Sequence, residues 1–358
     1  MFVAKLLIAL MIMLSSIAEA QEKQRLYRSA HYLGRGDTGI ATADNHEAIF
    51  YNPAGLARGK GIYKETVIAS PMVEISADTK DLIRKVAIEK DTDPETMRQH
   101  IGKNQHLGIY NFSGIVFRRA AVGAAVSTQN NVLVSKDPEG AGLEQIQADS
   151  TVNQVLTFSI AEKFFKDYLM IGTTLKYINR GVADAQLSIM DAQNVNDTLQ
   201  AEDVVGYGNG GGADIGLMFR TKGKAPFSLG LTVEDVGDTI IKPVQETTVL
   251  KDLESTVNIG LAVEPGTKFS KFKFFIDYRD LAGNAEQNPF KRFHFGTELS
   301  IRDRIGFTAG SNQGYPTVGT YIDLWVLRLD VGAYGEEMGD RIGSRPDQRY
   351  FMRLVAGF

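Results

Sequence analysis

From residue 61 to the C-terminus, apolar and polar positions alternate along most of the chain. Phe227, Leu229, Leu231 and Val233 lie opposite Ser228, Gly230, Thr232 and Glu234. Val257, Ile259, Leu261 and Val263 oppose Asn258, Gly260 and Glu264, and Phe293, Phe295, Leu299 and Ile301 oppose Arg292, His294, Glu298 and Ser300. Segments 153–161, 168–178, 304–308 and 325–331 repeat the pattern. A period of two predicts β-strands with one apolar and one polar side. A soluble sandwich would carry the same signature, so the connections must decide. About fourteen strands are predicted, an even number as a bacterial barrel requires. Long connections fall near 77–105, 129–151, 179–210, 238–254, 280–290, 311–316 and 335–348. Short ones fall at 118–119, 163–167, 221–226, 265–271, 302–303 and around 324. Long loops at one end and tight turns at the other mark an outer-membrane barrel, and a sandwich has no reason to sort its loops this way.

The polar sides would line a lumen carrying Lys176, Asp214, Arg220, Glu234, Asp277, Arg279, Arg328, Asp330 and Arg353. A soluble core could not bury so many charges, and neither could lipid; a wet or plugged lumen can. Residues 78–103 depart from strand character: Leu82, Ile83, Val86, Met97 and Ile101 recur at helical spacing, predicting a solvated helical pair over the barrel mouth. Residues 206–212 are glycine-rich and read as a flexible connection leading into a strand.

The rest of the chain says how it is delivered and what it cannot do. Residues 1–20 have Lys5 near the start, a short apolar centre and the small-x-small end Ala18-Glu19-Ala20. They predict a secretory signal peptide, since the apolar core is too short to anchor across a bilayer. There is no cysteine, which excludes disulfides, thiol catalysis, cysteine-based metal sites and lipoprotein lipidation. Formal charge is −4 with no basic block, so nucleic acid is not an expected partner. His31, His46, His100, His106 and His294 include no ligand-spaced pair on one element. His100 and His106 read as solvated loop residues. His294 would face the lumen, but Ser300 is six residues away on the same face, too far for a catalytic hydrogen bond. No enzyme chemistry, metal or cofactor is expected. Gly34–Gly39 spells G-x-G-x-x-G without the strand and βαβ unit that give it meaning. Arg35-Gly36-Asp37 spells an adhesion tripeptide that would sit on the periplasmic side.

Two segments carry more. At the C-terminus Tyr350, Met352, Leu354, Ala356 and Phe358 share one face, and the chain ends on an aromatic. Near the start, Asp44 is placed to cap a short helix containing Ala48 and Ile49, which Asn52-Pro53 then ends. The run from Gly34 to Ala57, with its Ala41-Thr42-Ala43-Asp44 step and its Tyr51-Asn52-Pro53-Ala54-Gly55-Leu56 close, resembles the FadL superfamily of outer-membrane proteins. That superfamily holds long-chain fatty-acid transporters, PorV-like secretion components and TraF-like barrels.

The resemblance implies an all-β architecture, a transmembrane antiparallel barrel of about fourteen strands with an N-terminal plug containing short helices. Domain limits follow: signal peptide 1–20, plug 21–60, barrel 61–358 in the outer membrane. Asn52, Pro53, Ala54 and Gly55 would form the plug's gate motif. Tyr350 and Phe358 would be read by the barrel-insertion machinery. Partners would be outer-membrane lipid and a hydrophobic ligand such as a long-chain fatty acid, admitted by the plug and released through the wall. The alternative is a sealed PorV-like barrel that docks a secretion partner. Transport predicts an apolar pocket beside Asn52–Leu56 and a kink or gap in one wall strand. A lumen sealed by salt bridges predicts the alternative.

Overall fold

Alternation obliges every strand to hide its polar side, and closing the sheet on itself is how the chain does so. The computed structural model describes residues 25–58, 63–84, 101–136, 144–188, 205–244, 250–286 and 288–358. The strands are β1 (Tyr63–Ala69), β2 (Met72–Ser76), β3 (Asn104–Phe117), β4 (Ala120–Lys136), β5 (Glu144–Phe164), β6 (Leu169–Ser188), β7 (Val205–Arg220) and β8 (Phe227–Glu234). They continue with β9 (Lys242–Pro243), β10 (Thr256–Val263), β11 (Ser270–Tyr278), β12 (Phe293–Ile301), β13 (Ile305–Asn312), β14 (Tyr315–Asp323), β15 (Leu327–Glu337) and β16 (Pro346–Gly357). Neighbours pair antiparallel, and β1 and β2 each pair with both β3 and β16, which closes the barrel. Because β1 and β2 are halves of one broken strand and β9 lies off the ring, the wall has fourteen strands.

Orientation follows the alternation. In β12, Phe293 and Phe295 are 40% and 45% exposed, whereas His294 and Glu298 on the other face are at 2% and 1%. In β16, Tyr350, Met352 and Leu354 face out, while Arg349, Phe351 and Arg353 are buried inside. An apolar exterior of this kind is what lipid requires, so this is an outer-membrane barrel. Tyr350 thus sits on the lipid face. Phe358 ends the seam: its amide donates to the Thr66 carbonyl (3.0 Å), and its own carbonyl accepts from the Thr66 amide and the Tyr63 hydroxyl (both 2.7 Å).

Several connections differ from the sequence reading. Within the stretches near 129–151 and 179–210, the described residues 129–136, 144–151, 179–188 and 205–210 are strand, and 137–143 and 189–204 lie outside the described residues. Strands β5 and β6 run 21 and 20 residues, more than a membrane crossing needs. Beyond the bilayer both faces of a strand are solvated, so alternation of hydrophobicity fades while backbone pairing continues. The glycine-rich run 206–212 is the first half of β7 rather than a flexible connection. Its inward glycines let residues 239–242 lie directly on the strand: a Cβ on Gly210 would stand 2.5 Å from the Ile240 carbonyl oxygen. The expected loop 311–316 is a two-residue turn, Gln313-Gly314, with both φ positive (51° and 88°). Of the helical segment 78–103, α-helix Ala77–Ile83 is present and residues 85–100 lie outside the described residues. The predicted signal peptide also lies outside them.

Candidate functional site

Residues 25–58 fill the lumen. They contain two four-residue helices, α1 (Ala30–Leu33) and α2 (Ala48–Tyr51), and a 3-10 helix over Pro53–Ala57. Ser29 caps α1 by accepting from the Tyr32 amide. Asp44 does not cap α2: it is half-exposed beside Arg58, and Asn45 Oδ1 accepts the Glu47 amide instead (3.1 Å). Asn52 closes α2 in extended conformation, and its side chain opens the 3-10 helix by accepting from the Ala54 amide (3.1 Å).

The N-terminal half is pinned by charge. Arg28 forks onto Glu336 (2.8 and 2.9 Å) and approaches Glu74 at 3.7 Å. Arg35 pairs with Glu298 at 2.8 Å, its guanidinium 4.0 Å from the Phe275 ring centre. Asp37 takes Arg25, Arg279 and the Tyr51 hydroxyl (2.6 Å). Asp277 accepts the amides of Gly39 and Ile40 at 2.7 and 3.1 Å. Glu47 binds Arg353 at 2.7 Å, and Arg353 also holds Asp330 at 3.0 Å. Burial alone would raise the Glu47 and Asp37 carboxyls. Arg353 beside the first, and Arg25 and Arg279 beside the second, instead hold both well below the usual carboxylate range. Burial pushes His31 down from the ordinary imidazole value. Arg328 donates to its Nδ1 (2.9 Å), which leaves the neutral ring's proton on Nε2, 3.3 Å from Glu298.

The C-terminal half is held by close packing. Asn52, Pro53, Ala54 and Gly55 are fully buried, and Asn52 Nδ2 donates to the carbonyls of Ile40 (2.7 Å) and Leu217 (3.1 Å). The wall meets this motif with glycine: a Cβ on Gly216 would be 2.1 Å from Asn52 Oδ1, and one on Gly172 would be 2.4 Å from the Pro53 carbonyl carbon. The expected apolar pocket beside Asn52–Leu56 is therefore filled by strand backbone. Among the described residues a recess lies at the loop end, lined by charged side chains including Arg25, Arg279, Glu286, Lys291 and Glu337.

The wall is interrupted between β1 and β2. Between Val67 and Met72 five residue steps are matched by only four on β3 (Gly114 to Tyr110) and four on β16 (Gly357 to Arg353). The one extra residue between Val67 and Met72 is a β-bulge; against β16 the slip falls between Val67 and Ala69, and Pro71 just beyond it has no N–H to give. Side chains cover the gap: Ser70 Oγ accepts from the Phe112 amide (3.1 Å) and donates to its carbonyl (3.2 Å), and Asn111 Oδ1 accepts the Ser70 amide (3.0 Å). Behind it stands an aromatic cluster. Phe112 is fully buried against Tyr27, Phe50 and the face of His46, at ring-centre distances of 6.2, 5.9 and 5.3 Å. Neither Ser70, Phe112 nor Tyr27 was singled out from sequence; Pro71 inside an otherwise strand-like run was the available signal.

Other sequence assignments change place. Arg35-Gly36-Asp37 is not periplasmic and not accessible: Arg35 and Asp37 are each 2% exposed, and Asp37 meets Arg279, which follows the loop end of β11. His106 is not solvated; its Nδ1 lies 2.8 Å from Asn131 and its Nε2 3.4 Å from Glu74 in the lumen, while His100 lies outside the described residues. His294 faces inward as expected, with Nδ1 3.0 Å from the Gly36 carbonyl oxygen.

No family model and no curated protein matches the sequence. Solved structures match by shape. The monoaromatic hydrocarbon channel CymD aligns at TM-score 0.52 and 11% identity, over 94% of this chain and 98% of that one. The Ralstonia pickettii toluene transporter TbuX aligns at 0.49 and 11% over 95% and 99%. The Pseudomonas putida toluene transporter TodX aligns at 0.47 and 9% over 93% and 99%. This chain has the FadL-type fold: a closed outer-membrane barrel of fourteen strands whose lumen holds the N-terminal segment.

Proposed function

We propose that this barrel transports a hydrophobic small molecule across the outer membrane, and that it is not an enzyme. The observation that carries the reading is the one-residue bulge between Val67 and Met72, backed by Tyr27, Phe50 and Phe112. It is a weak point in the wall with apolar surface on both sides; a second slip in the same strand, between Tyr63 and Glu65 against β3, lies nearer its end. In this reading residues 1–20 are a signal peptide, 21–60 a plug and 61–358 the barrel. Asn52–Gly55 is the fixed base of the plug, Phe112 with Tyr27 is the movable seal, and ligand leaves sideways into lipid. Tyr350 and Phe358 serve barrel insertion. Fatty acid and monoaromatic hydrocarbon are the two ligand classes to compare.

The test removes the bulge. Deleting Ser70 and changing Pro71→Val restores equal residue counts on both sides of the strand. Accumulation of labelled fatty acid and of labelled toluene is then measured in cells carrying either chain. Transport predicts a folded barrel that has lost uptake of at least one of them. Undiminished uptake by the deletion barrel sinks this route. A second reading, a sealed barrel that docks a secretion partner, draws on the salt-bridged lumen. It predicts no uptake by either chain and loss of a secreted protein when the barrel is absent.

A further inference from the structure

At the periplasmic end the tight turns are unequal. On the β10–β15 side, Lys268, Lys271, Arg302 and Arg304 stand against Asp303 and Asp323, which take Lys271 at 2.6 Å and Arg304 at 3.0 Å. On the β3–β8 side, three consecutive turns carry Arg118, Arg119, Lys163, Lys166, Lys222 and Lys224 against only Glu162 and Asp167. Those two carboxylates engage Arg119 (2.7 Å) and Lys163 (4.0 Å). Lys166, Lys222 and Lys224 are exposed and have no carboxylate partner among the described residues.

The middle turn is also strained. Phe165, Lys166 and Asp167 have φ of 49°, 58° and 73°, three successive L-residues in the left-handed region. This conformation turns Phe165 outward, 77% exposed, beside Phe164 at 43%. It also aims the Lys166 carbonyl at Lys222 Nζ (2.7 Å), which stands 5.0 Å from the centre of the Tyr168 ring. Below the lysines, Phe219, Ile160 and Phe158 continue the exposed apolar wall, at 40%, 48% and 51%.

We infer that Lys166, Lys222 and Lys224 hold the phosphate headgroup of an anionic phospholipid of the inner leaflet, whose acyl chains lie against Phe164, Phe165 and Phe219. Charge complementarity and continuity with the lipid-facing wall argue for lipid as the occupant. A soluble anion would have no use for the aromatic face. A basic residue at such a surface contributes about fivefold in binding an anionic headgroup.

The full chain is folded in nanodiscs containing equal phosphatidylglycerol and phosphatidylcholine, extracted mildly, and the retained lipid counted by native mass spectrometry. Phosphatidylglycerol should be retained several-fold over phosphatidylcholine. The triple variant Lys166→Gln, Lys222→Gln, Lys224→Gln should fall to near parity, while Lys271→Gln keeps the preference. Folding is checked independently by heat-dependent gel migration. Equal retention by the unaltered chain overturns the assignment, as does an unchanged preference in the triple variant or an equal loss in Lys271→Gln. Flat lipid selectivity with an acidic periplasmic protein released by the triple substitution would assign the patch to that protein instead.

Discussion

Both halves of the plug lay backbone on wall glycines, Arg35 on Gly296 and Ile40 on Gly230 as well as Pro53 on Gly172, but only the N-terminal half adds buried ion pairs to the wall. Residues 28–47 reach β2 and β11–β16 through side chains: Arg28 to Glu336, Arg35 to Glu298, Glu47 to Arg353. Residues 52–57 reach β5–β7 through backbone, with Gly172 and Gly216 making room for Pro53 and Asn52. A charge-held segment can be released by a change of protonation and pays for its ion pairs with desolvation. A segment held by shape has no such control and responds only to volume. On the proposed transport reading, motion belongs to the N-terminal half, where Tyr27 lies against the Phe112 seal, and anchoring to the Asn52–Gly55 motif.

The comparison breaks most sharply at Arg353. Arg353→Met removes the cation shared by Glu47 and Asp330 and leaves Glu47 buried without its ion-pair partner, while Asp330 keeps Arg328 at 2.8 Å. Losing one member of such a buried cluster costs about 3–5 kcal/mol. Urea unfolding in detergent should therefore shift to clearly lower midpoint, and Arg353→Met with Glu47→Gln should recover part of the loss. A single variant as stable as the parent would show that the cluster is hydrated and the charge-held description is wrong.

The anchored half should resist charge and yield to volume. Gly216→Val places a side chain where Asn52 Oδ1 already stands, and Pro53 Cδ is 2.9 Å from the same Cβ. Overpacking of this kind costs about 1–3 kcal/mol. The effect should be the same at neutral and acid pH. Gly211→Val on the same strand, whose Cβ would meet only the Lys176 carbonyl oxygen at 3.9 Å, should be tolerated. Equal effects at the two glycines would mean the plug does not bear on the wall at Gly216.

The same contrast explains what could be read from sequence. The barrel was legible because lipid enforces alternation on every strand, and Phe293–Ile301 shows it as clearly in the chain as in the wall. The lumen charges were legible as a set, since Lys176, Asp214, Asp277, Asp330 and Arg353 all had to face inward. Their partners were not: Arg28 and Glu336 are 308 positions apart, and nothing local encodes the pairing. The length of β5 and β6 was hidden because alternation stops reporting once both faces are wet. The bulge escaped because one extra residue leaves composition unchanged and shows only in the register against two neighbours.

Acid offers the finest separation of the halves. Asp37 and Glu47 are held below the ordinary carboxylate range by neighbouring cations. Their contribution to seating is complete above their free values, about 4, and is lost as pH falls through the seated values. His31 adds to this in the same direction: its seated value is lowered, so the released ring takes up a proton first, beginning below about pH 6.5. The C-terminal half contains no carboxylate between Ala48 and Ala57. Hydrogen exchange, corrected for its intrinsic pH dependence, should thus show residues 29–37 losing protection between neutral pH and about pH 3. Residues 49–57 should keep theirs, and Glu47→Gln should flatten the difference. Loosening of both halves together would mean that the plug moves as one body, and the assignment of the seal to the charged half alone would fall.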